Sequence, residues 1–334
     1  MPNVTITTTK AQTLIVEILE RNNTSKANAE SVAKALIAAE MDCQRGHGLS
    51  RLPSYAAQSA SGKVDGHATP LIVDQKAAAI RIDAANGFAF PAFDLATKEL
   101  IKLTADSGMA AASIFHSHHF GQAGYHAERL AEKGLVALVF GNSPQAIAPW
   151  GGSKGVFGTN PIAFAAPRAS GLPLLIDLSL SKSARGKVMV AQQKGESIPE
   201  GWAIDEHGQA TTDPSAALKG TMLPMGDAKG AALVLMVEIL AASLSGANFG
   251  YEATSFFTAE GEPPGVGQLI IAFDPEFFSG GSFTRRMEEL VEEILKQDNT
   301  RIPGSGRITL RDKACLEGLQ IPENLMIELN ILNT

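Results

Sequence analysis

The chain has 334 residues, 45% hydrophobic and 19% charged, with a net charge of -7 and no basic stripe; that is an ordinary globular balance with room for two or three domains, and nucleic acid is not an expected partner. Cys43 and Cys315 stand too far apart for a CxxC site, and the start MPNVTITTTKAQ lacks a basic-then-apolar leader pattern, so a cytoplasmic protein is expected. The longest apolar run, near residues 231–244, is interrupted by Glu238 and Ser243, which favours a buried helix over a membrane span.

Taken in order, KAQTLIVEILER (10–21) has helical spacing and is broken by Asn22-Asn23-Thr24. Ser25 is placed to N-cap a second helix reaching about Gln44, with Ala29, Val32, Ala33, Leu36, Ile37 and Met41 on one face. Its end delivers Arg45-Gly46-His47-Gly48 into a turn, and Pro53 marks a new start. Short strands are expected at 71–73 and 78–83, a helix at 90–107, a buried strand at 109–115, a helix at 124–133 and a second buried strand at 135–141. Strands follow at 161–166 and 174–178, then a long polar stretch at 192–221. The strongest helix is 229–245, followed by a strand at 268–273, an amphipathic helix at 282–297, the polar loop RIPGSGR (301–307) and a last helical stretch. The pattern is α/β with a mixed strand order. Helices at both ends of a strand-rich middle are expected to lie together.

The stretch His116–Pro161 holds four of the seven histidines, His116, His118, His119 and His126, where an apolar run gives way to glycines. Two strands whose ends carry titratable and small residues onto one rim have the composition of a site. On a strand His116 and His118 share a face and His119 points away. A metal is one use of such a cluster, acid/base or cofactor contact another, and ordinary strand-end polarity a third. His47 and Arg51, four apart, pair a proton donor with a carboxylate fork, or are merely cations favoured by a helix C-terminus. Lys229 in the first turn of a helix suits a phosphate, and Asp227 before it could cap that helix. The two arginines and two glycines of 301–307 suit a phosphate or a solvated loop. GVGQLI (265–270) precedes a strand and GGSKG (151–155) lacks the P-loop ending, so motif and composition place no dinucleotide site.

A resemblance adds more. RGHGLSRLPSY (45–55), SHHFGQAGY (117–125), FGTNPIAF (157–164), IDLSLSKSARGKV (176–188), PMGDAKG (224–230), GANF (246–249), GQLIIAFDP (267–275) and RIPGSGR occur in the order found in the malate/L-lactate dehydrogenase family, and the chain resembles it over most of its length. The His118-His119 pair, FGTNPIAFAAPR and MLPMGDAKGAALVLMVEILAA are most similar to its Δ1-piperideine-2-carboxylate/Δ1-pyrroline-2-carboxylate reductases. The resemblance implies a non-Rossmann α/β fold with a mixed central sheet and packed N- and C-terminal helices. It divides the chain into a helical region with the His/Arg segment (1–70), a sheet-centred cofactor and substrate region (71–275) and a C-terminal helical region (276–334). It implies NADPH, with NADH as the other candidate, a small cyclic imino acid or 2-oxoacid as substrate, and a homodimer.

Carried over by position, His47 takes the proton-donor role, while Arg51 and Thr159 contact substrate. The cofactor falls to His119, Phe120, Gly121, Gln122, Asp177, Leu178, Ser179, Arg185, Gly186, Lys229, Gly304, Ser305, Gly306 and Arg307, with Arg307 toward the extra phosphate of NADPH; no metal is implied. The expected reaction is NADPH-dependent reduction of Δ1-piperideine-2-carboxylate to L-pipecolate and of Δ1-pyrroline-2-carboxylate to L-proline. The alternative is a 2-hydroxyacid dehydrogenase of malate, lactate or ureidoglycolate type. Two positions depart from the family: Gly46 stands where a serine often orients the histidine, and Asp227 where a glycine is common. Those departures leave a third reading, a dinucleotide- or metabolite-binding protein that keeps the fold without turnover.

Overall fold

The computed structural model describes residues 2–334. The N-terminal part is β1 (Asn3–Ile6), α1 (Thr8–Arg21), α2 (Lys26–Met41), two single 3-10 turns at Arg45–His47 and Leu49–Arg51, and α3 (Leu52–Ser61). Thr7 caps α1 and Ser25 caps α2 through their side-chain oxygens. Along α1, Ala11, Leu14, Ile15, Ile18 and Leu19 are buried, the spacing of one helical face. The second helix stops at Met41 rather than near Gln44, and His47 and Arg51 sit on the two 3-10 turns, not on one continuing helix.

The middle holds β2 (Leu71–Lys76), β3 (Ala79–Asp83), α4 (Ala89–Ser107), β4 (Met109–Ser117), α5 (Ala123–Ala131), β5 (Val136–Gly141), β6 (Ile162–Ala166) and β7 (Leu174–Leu178). Next come α6 (Arg185–Lys194), β8 (Ala203–Ile204), β9 (Ala210–Thr211), α7 (Pro214–Lys219), β10 (Thr221–Met222), α8 (Asp227–Glu238), which runs on as a wider turn at Ile239–Ser243, and β11 (Val266–Phe273). One seven-stranded sheet has the order β2-β3-β4-β11-β5-β6-β7, with β3 and β4 parallel and the remaining pairs antiparallel. The late strand β11 therefore occupies the centre, which leaves it shielded on both faces. On one face α4, α5 and the segment before α5 supply Phe93, Leu100, Leu130 and Phe120 to a core with Ile82, Ile114 and Ile270; on the other, Phe140 and Leu269 pack with Val234 and Val237 of α8.

The C-terminal part is α9 (Pro275–Ser279), α10 (Phe283–Leu295), α11 (Gly306–Glu317), β12 (Leu319–Pro322) and α12 (Glu323–Leu332). Strand β12 pairs antiparallel with β1, and Ala314, Leu319, Ile321, Met326 and Leu329 join the core of α1, α2 and α3. The two ends of the chain thus share one hydrophobic core, as the end helices imply. Four parts of the expectation change. The polar stretch 192–221 contains α7 and the small sheet β8–β10; α6 is a helix; the tail holds two helices with a strand between; and the first sheet strand extends to Lys76. Among the described residues no helix is long and apolar enough to cross a membrane.

Candidate active site

Helix α3 is the platform. Arg51, Tyr55 and Gln58 lie at i, i+4 and i+7, the repeat that places side chains on one helical face. That face meets the segment following β4. The strand ends at Ser117, so strict alternation stops there. His116 has φ +49, is exposed, and bonds Asp83 at 3.0 Å through Nδ1. His118 and His119 are both buried and both reach α3, which corrects the expectation that His116 and His118 share a face while His119 turns away.

Each buried histidine has a fixed partner. Gln58 donates through Nε2 to the Ser54 and Phe256 carbonyls, so its Oε1 accepts from His118 Nε2 at 3.0 Å. The Tyr55 hydroxyl is 2.5 Å from His119 Nδ1. His119 stacks on His47 with ring centroids 5.3 Å apart and an interplanar angle of 9°. Phe256 closes the other side, 5.2 Å from His118 and 5.3 Å from His119. The Arg51 guanidinium lies 4.4 Å over the Phe257 ring while its Nε donates to the Gly46 carbonyl at 2.7 Å. Arg51 Nη1 and His47 Nδ1 are buried without a protein hydrogen-bond partner. His126 is different in kind: it donates to the Phe120 carbonyl and stacks on Phe93, a histidine of the core.

The electrostatics follow from burial beside a cation. Desolvation, with the Arg51 charge second, lowers His47 to about 4. The same two causes hold His119 well below its ordinary value, and desolvation with the Lys63 and Arg51 charges lowers His118 to about 3. The site at neutral pH is thus one guanidinium beside neutral imidazoles: an anchor for a carboxylate and proton acceptors next to it. Gly46 offers no hydroxyl to His47, although a Cβ there would meet nothing within 4 Å. The stacked, Tyr55-held His119 ring is what lies against His47 instead.

Other expected residues gather around the start of α5. Asp177 is exposed overall, but its Oδ2 accepts from the Gly124 amide at 2.7 Å, and desolvation there raises it to about 6 against the lowering effects of that bond and Arg307. Leu178 and Ser179 are exposed beside it. Leu175 donates to the Pro303 carbonyl at 3.4 Å, bringing the Gly304–Arg307 segment against β7. Gln122 is turned inward onto Asp42, and Arg307 forms an ion pair with Glu128 at 2.8 Å, part of a cluster with Arg311 and Asp42. Phe120 is buried in the sheet core and Gly121 adopts φ +72.

The 223–225 segment runs beside 180–182, with Lys182 N donating to the Leu223 carbonyl and Met225 N to the Leu180 carbonyl. That pairing sets the following α8 start, with exposed Lys229, near the end of β7. Asp227 caps nothing; it is the first residue of α8 and takes φ +55, in the left-handed region where glycine is the easy occupant. Arg185 donates to the Leu218 carbonyl and lines a cleft of about 530 Å³ with Lys154, Glu206, Lys219 and Thr221, apart from His47 and Arg51. Thr159 is fixed by Ser143 Oγ at 3.1 Å on its amide and by the Leu180 amide on its carbonyl.

As a test of fit to a dinucleotide, the exposed 177–179 strip, the Gly304 to Gly306 turn and the Lys229 ammonium offer acceptors, close backbone approach and a cation on neighbouring segments. Arg307 fits an added phosphate less well, because its guanidinium is 12% exposed and already committed to Glu128. Among the described residues no group of three or more His, Cys, Asp or Glu side chains is placed to hold a metal ion.

Residues 6–330 match the family described as malate/L-lactate dehydrogenase. The chain belongs to that family. Like its relatives, this family member is an oxidoreductase. It is 52% identical over 320 residues to a (2R)-3-sulfolactate dehydrogenase (NADP(+)) of Chromohalobacter salexigens, covering 96% of this chain and 95% of the relative. It is 42% identical over 320 residues to a Δ1-pyrroline-2-carboxylate/Δ1-piperideine-2-carboxylate reductase of Pseudomonas putida, covering 94% and 93%. The crystal structure of Δ1-piperideine-2-carboxylate reductase from Pseudomonas syringae pathovar tomato superposes with a TM-score of 0.93 at 39% identity, covering 98% of this chain and 99% of that one. The non-Rossmann fold expected for the family is therefore the fold observed.

Sequence alone did not single out Gln58, Lys63 or the Phe256-Phe257 pair. The readable signal was a helix with Arg51, Tyr55 and Gln58 at i, i+4 and i+7 within otherwise small and apolar neighbours.

Proposed function

We propose that the chain reduces cyclic α-imino acids with NADPH, taking Δ1-piperideine-2-carboxylate to L-pipecolate and Δ1-pyrroline-2-carboxylate to L-proline. The observation that carries this reading is the single guanidinium with an unpartnered nitrogen, set among neutral imidazoles and the Phe256 and Phe257 rings. Such a site matches one carboxylate on an otherwise apolar ring. NADPH is supported by the relative named for NADP(+) and by the residues placed around β7 and Lys229. When bound, it supplies the hydride.

The residues of this chain do the rest. Arg51 holds the carboxylate through the Nη1 that no protein group occupies. Phe257 backs the guanidinium and Phe256 presses on the histidine pair, keeping water from the reacting carbon. A protonated imine is already electrophilic, so its reduction asks no proton of the protein. A 2-oxoacid, by contrast, needs an acid at its oxygen, and His47, lowered to about 4, is a poor donor at pH 7.

A second reading is NADP+-dependent oxidation of a 2-hydroxyacid, with His47 taking the hydroxyl proton. It is favoured by the 52% identity to a sulfolactate dehydrogenase. The two separate in one panel: NADPH oxidation with the two cyclic imines, pyruvate, oxaloacetate and glyoxylate, beside NADP+ reduction with (2R)-3-sulfolactate, malate and lactate. The expected result is turnover of the cyclic imines alone. Turnover of sulfolactate or another hydroxyacid without the imines replaces the first reading with the second, and tight NADPH binding with no turnover on either panel overturns both.

A further inference from the structure

Lys63 follows the left-handed cap Gly62 at the end of α3 and is only 3% exposed. Its ammonium donates to three backbone carbonyls of a single loop, Ser255 at 2.8 Å, Thr258 at 3.0 Å and Glu260 at 2.9 Å. Three N–H donors meet three acceptors, so the group is saturated. Two neighbours on the same helix end act alike: Gln58 Nε2 donates to the Phe256 carbonyl at 3.0 Å, and Ser61 Oγ to the Ala259 carbonyl at 2.9 Å. Of the six carbonyls from 255 to 260, only that of Phe257 is left out.

This arrangement has a consequence for the site. The loop carries no regular secondary structure of its own, and its backbone oxygens are gathered onto one helix terminus. Its two aromatic side chains are thereby presented to the His118–His119 pair and to Arg51. A neutral side chain at 63 could satisfy one or two of those carbonyls. A lysine, reaching along a flexible stem with a point charge, satisfies three.

We propose that Lys63 is a positioning residue of the active site, pinning loop 255–260 so that Phe256 and Phe257 form the wall against which the apolar part of the substrate packs beside Arg51. The proposal rests on the reading of Arg51 as the carboxylate anchor. It makes the loop the specificity element: its aromatic pair accepts a compact apolar ring, and releasing it enlarges the site without touching the reacting groups.

The test is Lys63→Met in the full-length enzyme, with NADPH and the substrate identified by the panel. The expected result is a KM for substrate raised about tenfold with kcat within about twofold and the KM for NADPH unchanged, because uniform binding is lost rather than transition-state contact. Phe257→Ala should raise the substrate KM similarly, and the double variant should be no worse than the larger single, since releasing the loop already gives up the contact that Phe257→Ala removes. Amide exchange of a peptide covering 255–260 should accelerate in Lys63→Met. A substrate KM within twofold of the parent, whether or not the loop exchanges faster, overturns the proposal, as does full additivity of the two substitutions.

If Lys63→Met does not fold, Ser61→Ala removes one outer anchor. It should raise KM in the same direction by about twofold, and an unchanged KM there with faster loop exchange also overturns the proposal. Arg51→Lys, run alongside, separates the two ideas. Unaltered kinetics in that variant sink the anchor reading, whereas loop exchange and non-additivity report on Lys63 alone.

Discussion

In the proposed reading, Arg51 is the residue on which substrate recognition turns. Its Nε is spent on the Gly46 carbonyl and its plane lies on Phe257, so the fork is aimed before any ligand arrives. Lysine keeps the charge but loses both the second donor and the flat face. A charge-assisted hydrogen bond contributes roughly 1.5–3 kcal/mol, so Arg51→Lys should raise KM about 10- to 100-fold while leaving NADPH affinity intact. Steady-state kinetics check this, and unchanged KM would remove Arg51 from the carboxylate. Much of this residue-scale picture was readable in the sequence: His47, Arg51 and His119, drawn from two distant segments, do meet. The expected strand faces of the histidines failed because the strand ends at Ser117, and His116 turns out through a positive φ. Alternation predicts a face only while the strand lasts. Lys63 was not readable, since a lysine after Ser-Gly looks like any exposed turn residue until its three carbonyl partners, some 190 residues on, are known.

At the scale of elements, a buried polar knot joins the segments that carry the family's motifs. Glu238, 2% exposed at the end of α8, accepts from Asn142 Nδ2 at 3.1 Å, Asn160 Nδ2 at 2.7 Å and the Gly250 amide at 2.7 Å. Asn142 in turn accepts from the Gly267 amide and donates to the Asn248 carbonyl. The ends of β5 and β11, the 157–161 loop with Thr159 and the 246–250 turn are therefore set by one carboxylate. Glu238→Gln would aim an amide N–H at a donor, or lose an acceptor, in a site without water access. A buried group left unsatisfied costs about 1–3 kcal/mol, so the variant should unfold at clearly lower urea and lose activity with it. Unchanged stability by urea titration would show that the knot does not hold these segments together.

The elements themselves were legible wherever a long apolar period existed, as for α1, α2, α4 and β4. They were missed where it did not. Only Val188 and Ala191 are buried on α6, and the two-residue strands of the β8–β10 sheet are too short to show alternation. The central position of β11 was likewise hidden, because pairing order is settled by contacts across more than a hundred residues rather than by local pattern.

For the whole molecule, the buried histidines make stability depend on acid. His118 and His126 are lowered to about 3 and His119 lies well below the ordinary value, all from desolvation first, against 6.5 for an unperturbed side chain. A histidine depressed in the folded state binds its proton more readily when unfolded. Its contribution is therefore complete above pH 6.5 and is lost as pH falls toward the folded values. Each such group removes up to about 1.4 kcal/mol per pH unit below 6.5.

Glu40, raised by burial despite the lowering effect of its bond from the Leu49 amide, works in the opposite sense, as does Asp177 from about 6 downward. The four depressed histidines, His47 with these three, outweigh the two carboxyls over this span. The urea midpoint should therefore hold between pH 8 and 7 and fall steeply from pH 6.5 to 5, with net proton uptake on unfolding. His126→Phe separates this effect from the active site, because His126 stacks on Phe93 and touches neither Arg51 nor His47. That variant gives up the bond to the Phe120 carbonyl at neutral pH, yet should lose stability less steeply with acid than the parent. A midpoint independent of pH between 7 and 5 in the parent protein would show that these imidazoles are not held neutral by the fold.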